Sequence, residues 1–257
     1  MLKHVLFLIP GLSSHGDMHD MPMPIQHVKY AYCHTEPSEE LFLQKPPENE
    51  VDNYQTLPEY DFPGRDISYS PTCNSEAFTF EKSVPNSIEQ HTEMIEMYHM
   101  MENEEVYNFP EDIPSNGPHK AMWAAFGEYN YLPPTRYLHN LEHGALIFLY
   151  HPCIEKHALV FKSMARNCLW KHLISKWETG LSQEYPFAIV AWGHLLKVGD
   201  IRKPEVVEKI VNFVKEHSWK GEKGHCWGNG GYKTQLIRDA RLVSDMVDSE
   251  ICPWHGI

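Results

Sequence analysis

The sequence predicts an α+β fold: a small mixed sheet with packed helices, a long irregular acidic N-terminal arm, and disulfide staples. Two continuous apolar runs, 145–150 and 187–192, are typical of buried strands. The apolar stripe of 204–217 is typical of an amphipathic helix that packs on such a sheet. Six cysteines suit three disulfides in an oxidising compartment.

The composition excludes several classes of protein. A hydrophobic fraction of 42% is too high for a wholly disordered chain, and a mean hydropathy of −0.46 is too low for a multi-pass membrane protein. The net charge of −13 argues against nucleic acid as the main partner, because phosphate binding needs a basic surface. No apolar run has the roughly 18 residues that a membrane span requires.

The N-terminus predicts export. Residues 1–14 combine Lys3, an apolar run over 5–9 and small residues over 11–13, which is typical of a short secretory signal peptide. A buried N-terminal strand is the alternative. We therefore expect a secreted, extracellular or luminal protein.

A segment that alternates histidine and methionine follows the expected cleavage point. Imidazole and thioether ligands together suit copper better than zinc. The sequence thus predicts a secondary metal site formed by His15, Met18, His19, Met21 and Met23.

Residues 15–112 are expected to form the partly irregular arm. The segment between Glu36 and Asp112 contains 19 acidic residues and only three basic ones, and prolines recur in it. We therefore expect it to be mostly solvated loop. The spacing of apolar and sulfur-containing residues over 88–101 predicts one helix in this arm. Its cluster of His91, His99 and four methionines is interpreted as the packing face of a methionine-rich helix, with copper binding as the alternative.

The core domain is predicted over 113–218 and a C-terminal tail over 219–257. In chain order we expect a turn-rich stretch at 113–137, a helical turn at 138–144, a strand at 145–150 and a long helix at 154–176. Two strands at 187–192 and 194–198 and a helix at 204–217 follow, and the tail contains one helix at 234–247.

Cys153 and Cys168 flank the long helix, so they can form a bridge across it, and Cys226 with Cys252 could staple the tail. Six cysteines allow 15 pairings, among which the sequence does not choose.

The strongest chemical motif is His139-Asn-Leu-Glu142-His143. Histidines at positions i and i+4 of a helix lie on one face and can share a metal ion. The order H-x-x-E-H is that of inverted zinc proteases, in which the glutamate is the general base. Glu142 is therefore a catalytic candidate, although the long helix that surrounds the motif in those proteases is not predicted here.

A third imidazole follows a tight turn at Ser115-Asn-Gly-Pro-His119. Because a turn can direct a side chain rigidly, His119 can converge with His139 and His143 from another direction. Three histidines suit copper, with zinc as the alternative, and leave a coordination position open.

An ordered set of motifs carries a family resemblance: Ile113 to His119, Phe126 to Tyr129, Arg136 to Gly144, Leu149 to Cys153, and Ala191 to Gly193. The set resembles the domain of unknown function in tumour protein p53-inducible protein 13 and in many secreted bacterial proteins. The resemblance covers about 113–218, and residues 21–24 show a weaker similarity. It implies export, a compact α+β domain, and functional positions at His119, His139, Glu142 and His143; it implies no activity.

Three functions remain open at this point. The first is a secreted metal-binding domain, with copper held by His119, His139 and His143 and with redox or oxygen chemistry at an open position. The second is an extracellular structural or interaction protein whose histidines are structural. The third is a metal-dependent hydrolase that uses Glu142.

Overall fold

The fold is known from a computed structural model that describes residues 58–62, 65–74, 87–223 and 228–253. The predicted signal peptide, the secondary metal segment, Cys33 and Cys226 lie outside these residues. Within them, none of the helices combines the length and the apolar character that crossing a bilayer requires.

The described residues form an α+β fold, as predicted. The helices are α1 (Pro134–Glu142), α2 (Glu155–Cys168) and α3 (Pro204–His217). The strands are β1 (Ser87–His91), β2 (His99–Met100), β3 (His119–Lys120), β4 (Gly127–Tyr129), β5 (Leu146–Tyr150), β6 (His172–Lys176), β7 (Phe187–Ala191), β8 (His194–Val198) and β9 (Leu236–Asp239). Short 3-10 turns occur at Pro58–Tyr60 and Pro152–Ile154.

The main sheet is mixed and has the strand order β1-β8-β7-β5-β6-β4-β9. β6 pairs in parallel with β5 and β4, whereas the other pairings are antiparallel. β5 lies at the centre and is wholly buried, which explains its continuous apolar sequence. β2 and β3 form a separate parallel pair.

Helices cover both faces of this sheet. On one face, α2 and α3 pack on inward residues such as Phe148 and Ile189. On the other face, α1 and the loops around it pack on residues such as Ile147 and Val190. The β2–β3 pair carries His119 to the α1 side, so the candidate site lies there.

Several predicted elements are confirmed. The strands at β5, β7 and β8 and the helix at α3 lie where the patterns place them, and the helical turn before β5 is part of α1. Pro134 and Pro204 occupy the first turns of α1 and α3, where the missing N–H is not needed.

Two predicted helices are wrong, and a third is predicted too long. The pattern over 88–101 belongs to β1, an extended segment and β2. The long helix over 154–176 ends at Cys168, and 172–176 is strand β6 in the middle of the sheet. The tail contains β9 and turns in place of a helix at 234–247. In each case sheet pairing overrides a local spacing that suits a helix.

The two suggested cysteine pairings are also wrong. Cys73 is bonded to Cys153, and Cys168 is bonded to Cys252. The tail is therefore stapled as expected, but to the end of α2. The domain boundaries remain a prediction, although β1 comes from the predicted arm and pairs with β8 in the main sheet.

A buried ion triad fixes the N-terminal half of α1. Arg136 is fully buried; its Nε donates to Asp61 at 2.9 Å and its Nη1 to Glu102 at 2.9 Å. The Arg136 guanidinium also stacks on the Tyr232 ring, 4.4 Å from the centroid. Two carboxylates of the predicted arm thus anchor the helix that carries His139 and His143.

We expect Arg136→Leu to lower the free energy of unfolding by about 3–5 kcal/mol, because it leaves Asp61 buried without its cation. Urea denaturation measures this loss. Arg202→Ala is the matched control: it breaks the ion pair with Asp200 on a side chain that is 60% exposed, and should change stability by less than about 1 kcal/mol. Equal effects of the two substitutions would contradict the anchoring role of Arg136.

Gly144 ends α1 in a conformation that favours glycine. Its φ is +76°, and a Cβ there would lie 2.6 Å from the Trp219 Cα. Gly144→Ala should therefore destabilise the protein by about 1–3 kcal/mol in urea denaturation. At Gly231 an added Cβ meets nothing nearer than the Met122 side chain at 3.8 Å, so Gly231→Ala should be close to neutral. A neutral Gly144→Ala would show that the Trp219 segment shifts freely.

Candidate metal centre

α1 presents His139 and His143 on one face because they are one helical turn apart. His139 lies inside the helix and His143 caps its C-terminus. Their Nε2 atoms are 3.0 Å apart, and their rings stack with centroids 4.8 Å apart. The i, i+4 spacing thus produces the proximity that the sequence predicts.

His119 reaches the same place from β3. The turn at Gly117, with φ +121°, precedes it and accepts a 2.8 Å hydrogen bond from the His119 Nδ1. The ring centroids of His119 and His139 are 5.0 Å apart. The structure therefore brings His119 and His139 to metal-binding distance of each other, whereas His143 lies outside that group and contacts it through His139; metal ligation by the three histidines remains a prediction.

A fourth histidine, His99, joins the group through β2. His99 pairs directly with His119 in the parallel β2–β3 register, and its ring stacks on that of His139 with centroids 4.9 Å apart. The spacing over 88–101 places His99 on a methionine-rich helix and so does not predict this position. Its two-residue strand gives no local signal, and the long-range pairing that places it cannot be read from spacing.

Glu142 directs one carboxylate oxygen into the histidines. Its Oε2 lies 3.7 Å from the His119 Nε2, 3.9 Å from the His139 Nε2 and 3.8 Å from the His143 Nε2. His99, His119, His139 and Glu142 each offer one ligand atom, and these atoms lie within 4.8 Å of one another. A His/Glu cluster at metal-binding distances is therefore present.

Backbone carbonyls fix the tautomer of three rings. The Nδ1 atoms of His119, His139 and His143 donate to the carbonyl oxygens of Gly117, Lys120 and Lys223 at 2.8, 3.1 and 2.9 Å. A carbonyl only accepts, so each Nδ1 carries a proton and each Nε2 is directed into the cluster; in the neutral form of the ring this Nε2 presents a lone pair. This is the arrangement of outer-shell partners around histidine ligands of metals.

The rings of His99, His139 and His143 are held neutral. Burial lowers the pKa of His139 well below its usual value and that of His143 to about 3. Burial and the neighbouring His119 lower the pKa of His99 to about 4. A proton shared between the His139 and His143 Nε2 atoms is therefore disfavoured at neutral pH.

Glu142 is a carboxylate despite its burial. Burial alone would raise its pKa, but His119 and the Lys223 ammonium lower the pKa to about 2. The Lys223 Nζ lies 3.1 Å from Oε1, which leaves Oε2 facing the rings. Neither Oε2 nor the His119 Nε2 has a hydrogen-bond partner among the described residues. Buried polar atoms normally have a hydrogen-bond partner, so these two atoms indicate that a binding partner is missing.

Aromatic rings and a loop close the cluster. The Trp123 ring lies 4.3 Å from that of His143, and the Trp192 ring lies 6.3 Å from that of His119. After α3 the chain returns over the end of α1, where the Lys223 N–H donates to the Glu142 carbonyl at 2.8 Å. His119 and His139 are 1% and 2% exposed, so the cluster is shielded from bulk water.

Comparisons with known proteins locate the chain in one family. No curated protein and no solved structure matches it. A family model described as "Protein of unknown function (DUF3105)" matches residues 99–227, which is half of the chain. The matched stretch begins at His99 and contains the whole cluster, including Lys223. The chain therefore belongs to the DUF3105 family of proteins of unknown function.

Proposed function

We propose that the protein binds one transition-metal ion, copper in preference to zinc, between α1 and the β2–β3 pair. One observation carries the proposal: the Nε2 atoms of three imidazoles lie within 3.9 Å of one buried carboxylate oxygen, Oε2 of Glu142. Two imidazole lone pairs at 3.0 Å repel each other unless a cation lies between them. Ligands at about 2.0–2.1 Å from a metal ion are separated by distances of this order.

Histidine and carboxylate ligands suit both copper and zinc. At a given nitrogen and oxygen site Cu²⁺ binds more tightly than Zn²⁺, which favours copper where both are available. The histidine and methionine residues at 15–23 point to the same metal, although they lie outside the described residues. His119, His139 and His143 are the proposed ligands, with Glu142 and His99 completing the set.

An exported protein is part of the proposal. Two disulfides are consistent with an oxidising compartment. The resemblance to the domain in tumour protein p53-inducible protein 13 and in secreted bacterial proteins agrees with export. A copper ion would supply redox or oxygen chemistry there if one coordination position stays open to a ligand. His99 is half-buried and is the least buried of the four histidines.

We expect the purified protein, loaded with Cu²⁺ and freed of excess, to hold about one copper ion per chain in this centre. His139→Ala combined with His143→Ala should lose it, as measured by elemental analysis and by electron paramagnetic resonance. His157→Ala, which removes an exposed histidine on α2, is the control and should keep the metal. If the protein retains zinc and not copper, the proposed identity of the metal changes to zinc. A double variant with unchanged metal content but lower thermal stability would favour the structural alternative.

Glu142→Gln separates a ligand from a general base. If Glu142 is a ligand, the substitution should weaken metal binding by at least the roughly 10- to 100-fold that loss of an outer-shell partner causes. Competition with a chelator measures this. Glu208→Gln on the exposed face of α3 is the control. A variant that keeps the metal but loses hydrolysis of peptides or esters would instead support the hydrolase, which the position of Oε2 beside three imidazoles also permits.

A further inference from the structure

A groove runs between α2 and the chain that follows β9. The helix supplies one wall, and residues 241–243 with Pro253 supply the other. The Arg241 Nη2 donates to the Asn167 Oδ1 at 2.8 Å, and the disulfide of Cys252 joins the tail to the end of α2. These bonds hold the two walls together around about 720 Å³ of space.

The walls of this groove are apolar although they face solvent. Leu159 and Val160 on α2 are 60% and 44% exposed, and Leu242 on the other wall is 40% exposed. Phe161 and Ala165, on the inward side of the helix, pack in the core on the sheet, whereas none of the three exposed side chains belongs to that core. Exposed apolar side chains that share one groove indicate a binding site.

A pocket lined by arginines continues the groove. Ser163, Asn167 and Arg241 line both places, and the pocket adds about 290 Å³. Arg166 and Arg238 also line it. The Arg238 side chain makes no hydrogen bond or ion pair with any residue that the structure describes, so its guanidinium is available to a ligand. Groove and pocket together are named the α2 groove.

Positive charge exceeds negative charge at the pocket, although the chain has a net charge of −13. The lining contains three arginines and one carboxylate, Asp239. The Lys233 Nζ lies 3.9 Å from that carboxylate. Arg166 donates to Glu128 at 2.7 Å, and the same carboxylate accepts from Lys162 at 2.9 Å. Each of the two carboxylates thus has a cation besides the arginines that remain, and the pocket favours an anion.

An alkyl chain suits the apolar walls better than a peptide does. A peptide brings backbone N–H and C=O groups that need partners, and Leu159, Val160 and Leu242 offer none. A guanidinium presents its donors in a fork that matches a carboxylate. Asp239 in the lining favours a head group with one negative charge over a doubly charged phosphate. Ligand cavities commonly measure roughly 300–1,000 Å³, a range that includes the apolar part of the groove.

We propose that the α2 groove binds one long-chain fatty acid, with its alkyl chain along α2 and its carboxylate at Arg238 and Arg241. This binding site is separate from the proposed metal centre. α2 and α1 cover opposite faces of the sheet, and the α2 groove shares no side chain with the histidine cluster.

The first experiment titrates the full-length protein with dodecanoate in a calorimeter. We expect saturable binding of about one molecule per chain. Acetate lacks the alkyl chain and dodecyltrimethylammonium has a cationic head, so each should bind at least about tenfold more weakly. Equal binding of the anionic and cationic amphiphiles would overturn the proposal. So would no binding of dodecanoate, the result expected if a second copy of the chain or residues 254–257 already fill the groove.

The second experiment repeats this titration with variants at exposed positions. Arg238→Gln removes the free guanidinium, and Leu159→Glu places a carboxylate in the apolar wall; each should weaken dodecanoate binding about tenfold. Arg202→Gln and Ile88→Glu change exposed side chains outside the groove and should leave the affinity unchanged. Variants of the groove that bind as tightly as these controls would overturn the proposal.

The third experiment locates the ligand on the wild-type chain. A dodecanoate analogue with a diazirine at its last carbon is photolysed on the protein, and peptide mass mapping identifies the labelled residues. We expect labels within 159–164 or 242–253, suppressed by excess dodecanoate. Labels confined to other parts of the chain would overturn the proposal.

A chelator separates this site from the metal centre, where a carboxylate could bind a metal ion directly. Removal of metal should leave the affinity for dodecanoate unchanged. Loss of dodecanoate binding together with the metal would place the carboxylate at the histidine cluster and overturn the proposal, whereas a protein that binds dodecanoate but no metal would contradict only the proposed function.

Discussion

The hydrogen bonds between imidazole Nδ1 atoms and backbone carbonyls determine what the candidate centre can do. Each carbonyl comes from a different part of the chain: the turn before β3, β3 itself, and the segment after α3. Each bond removes the choice of tautomer and so orients a lone pair inward. Without these bonds the histidines could pair with one another as donors and acceptors. With them, the neutral rings present acceptors alone, which a donor or a cation would complement.

The sequence predicts the parts of this centre that depend on neighbours in the chain. His139, Glu142 and His143 lie on one helical turn, and His119 follows a turn marked by Gly117. His99 depends on a parallel pairing with a strand twenty positions away, which no local pattern encodes. The disulfides have the same limit, since their partners are 80 and 84 positions apart. Spacing shows which residues can share a face, but only the fold shows which faces meet.

The same distinction explains the elements that were predicted incorrectly. Residues 172–176 continue the apolar spacing of α2, yet β6 fills the place between β5 and β4. The methionine-rich stretch also fits a helical period, but its ends pair with β8 and β3. The acidic arm was expected to be solvated because of its charge. Asp61 and Glu102 instead neutralise a buried arginine, so part of that charge is structural.

The loop that returns over α1 has a consequence for biosynthesis. Lys223 supplies both the carbonyl that orients His143 and the cation beside Glu142, whereas His99 lies at the start of the matched stretch. A nascent chain therefore cannot complete the pocket until synthesis has passed residue 223. All the proposed ligands precede residue 144, so until residue 223 is made they lack the carbonyl that orients His143 and the cation beside Glu142.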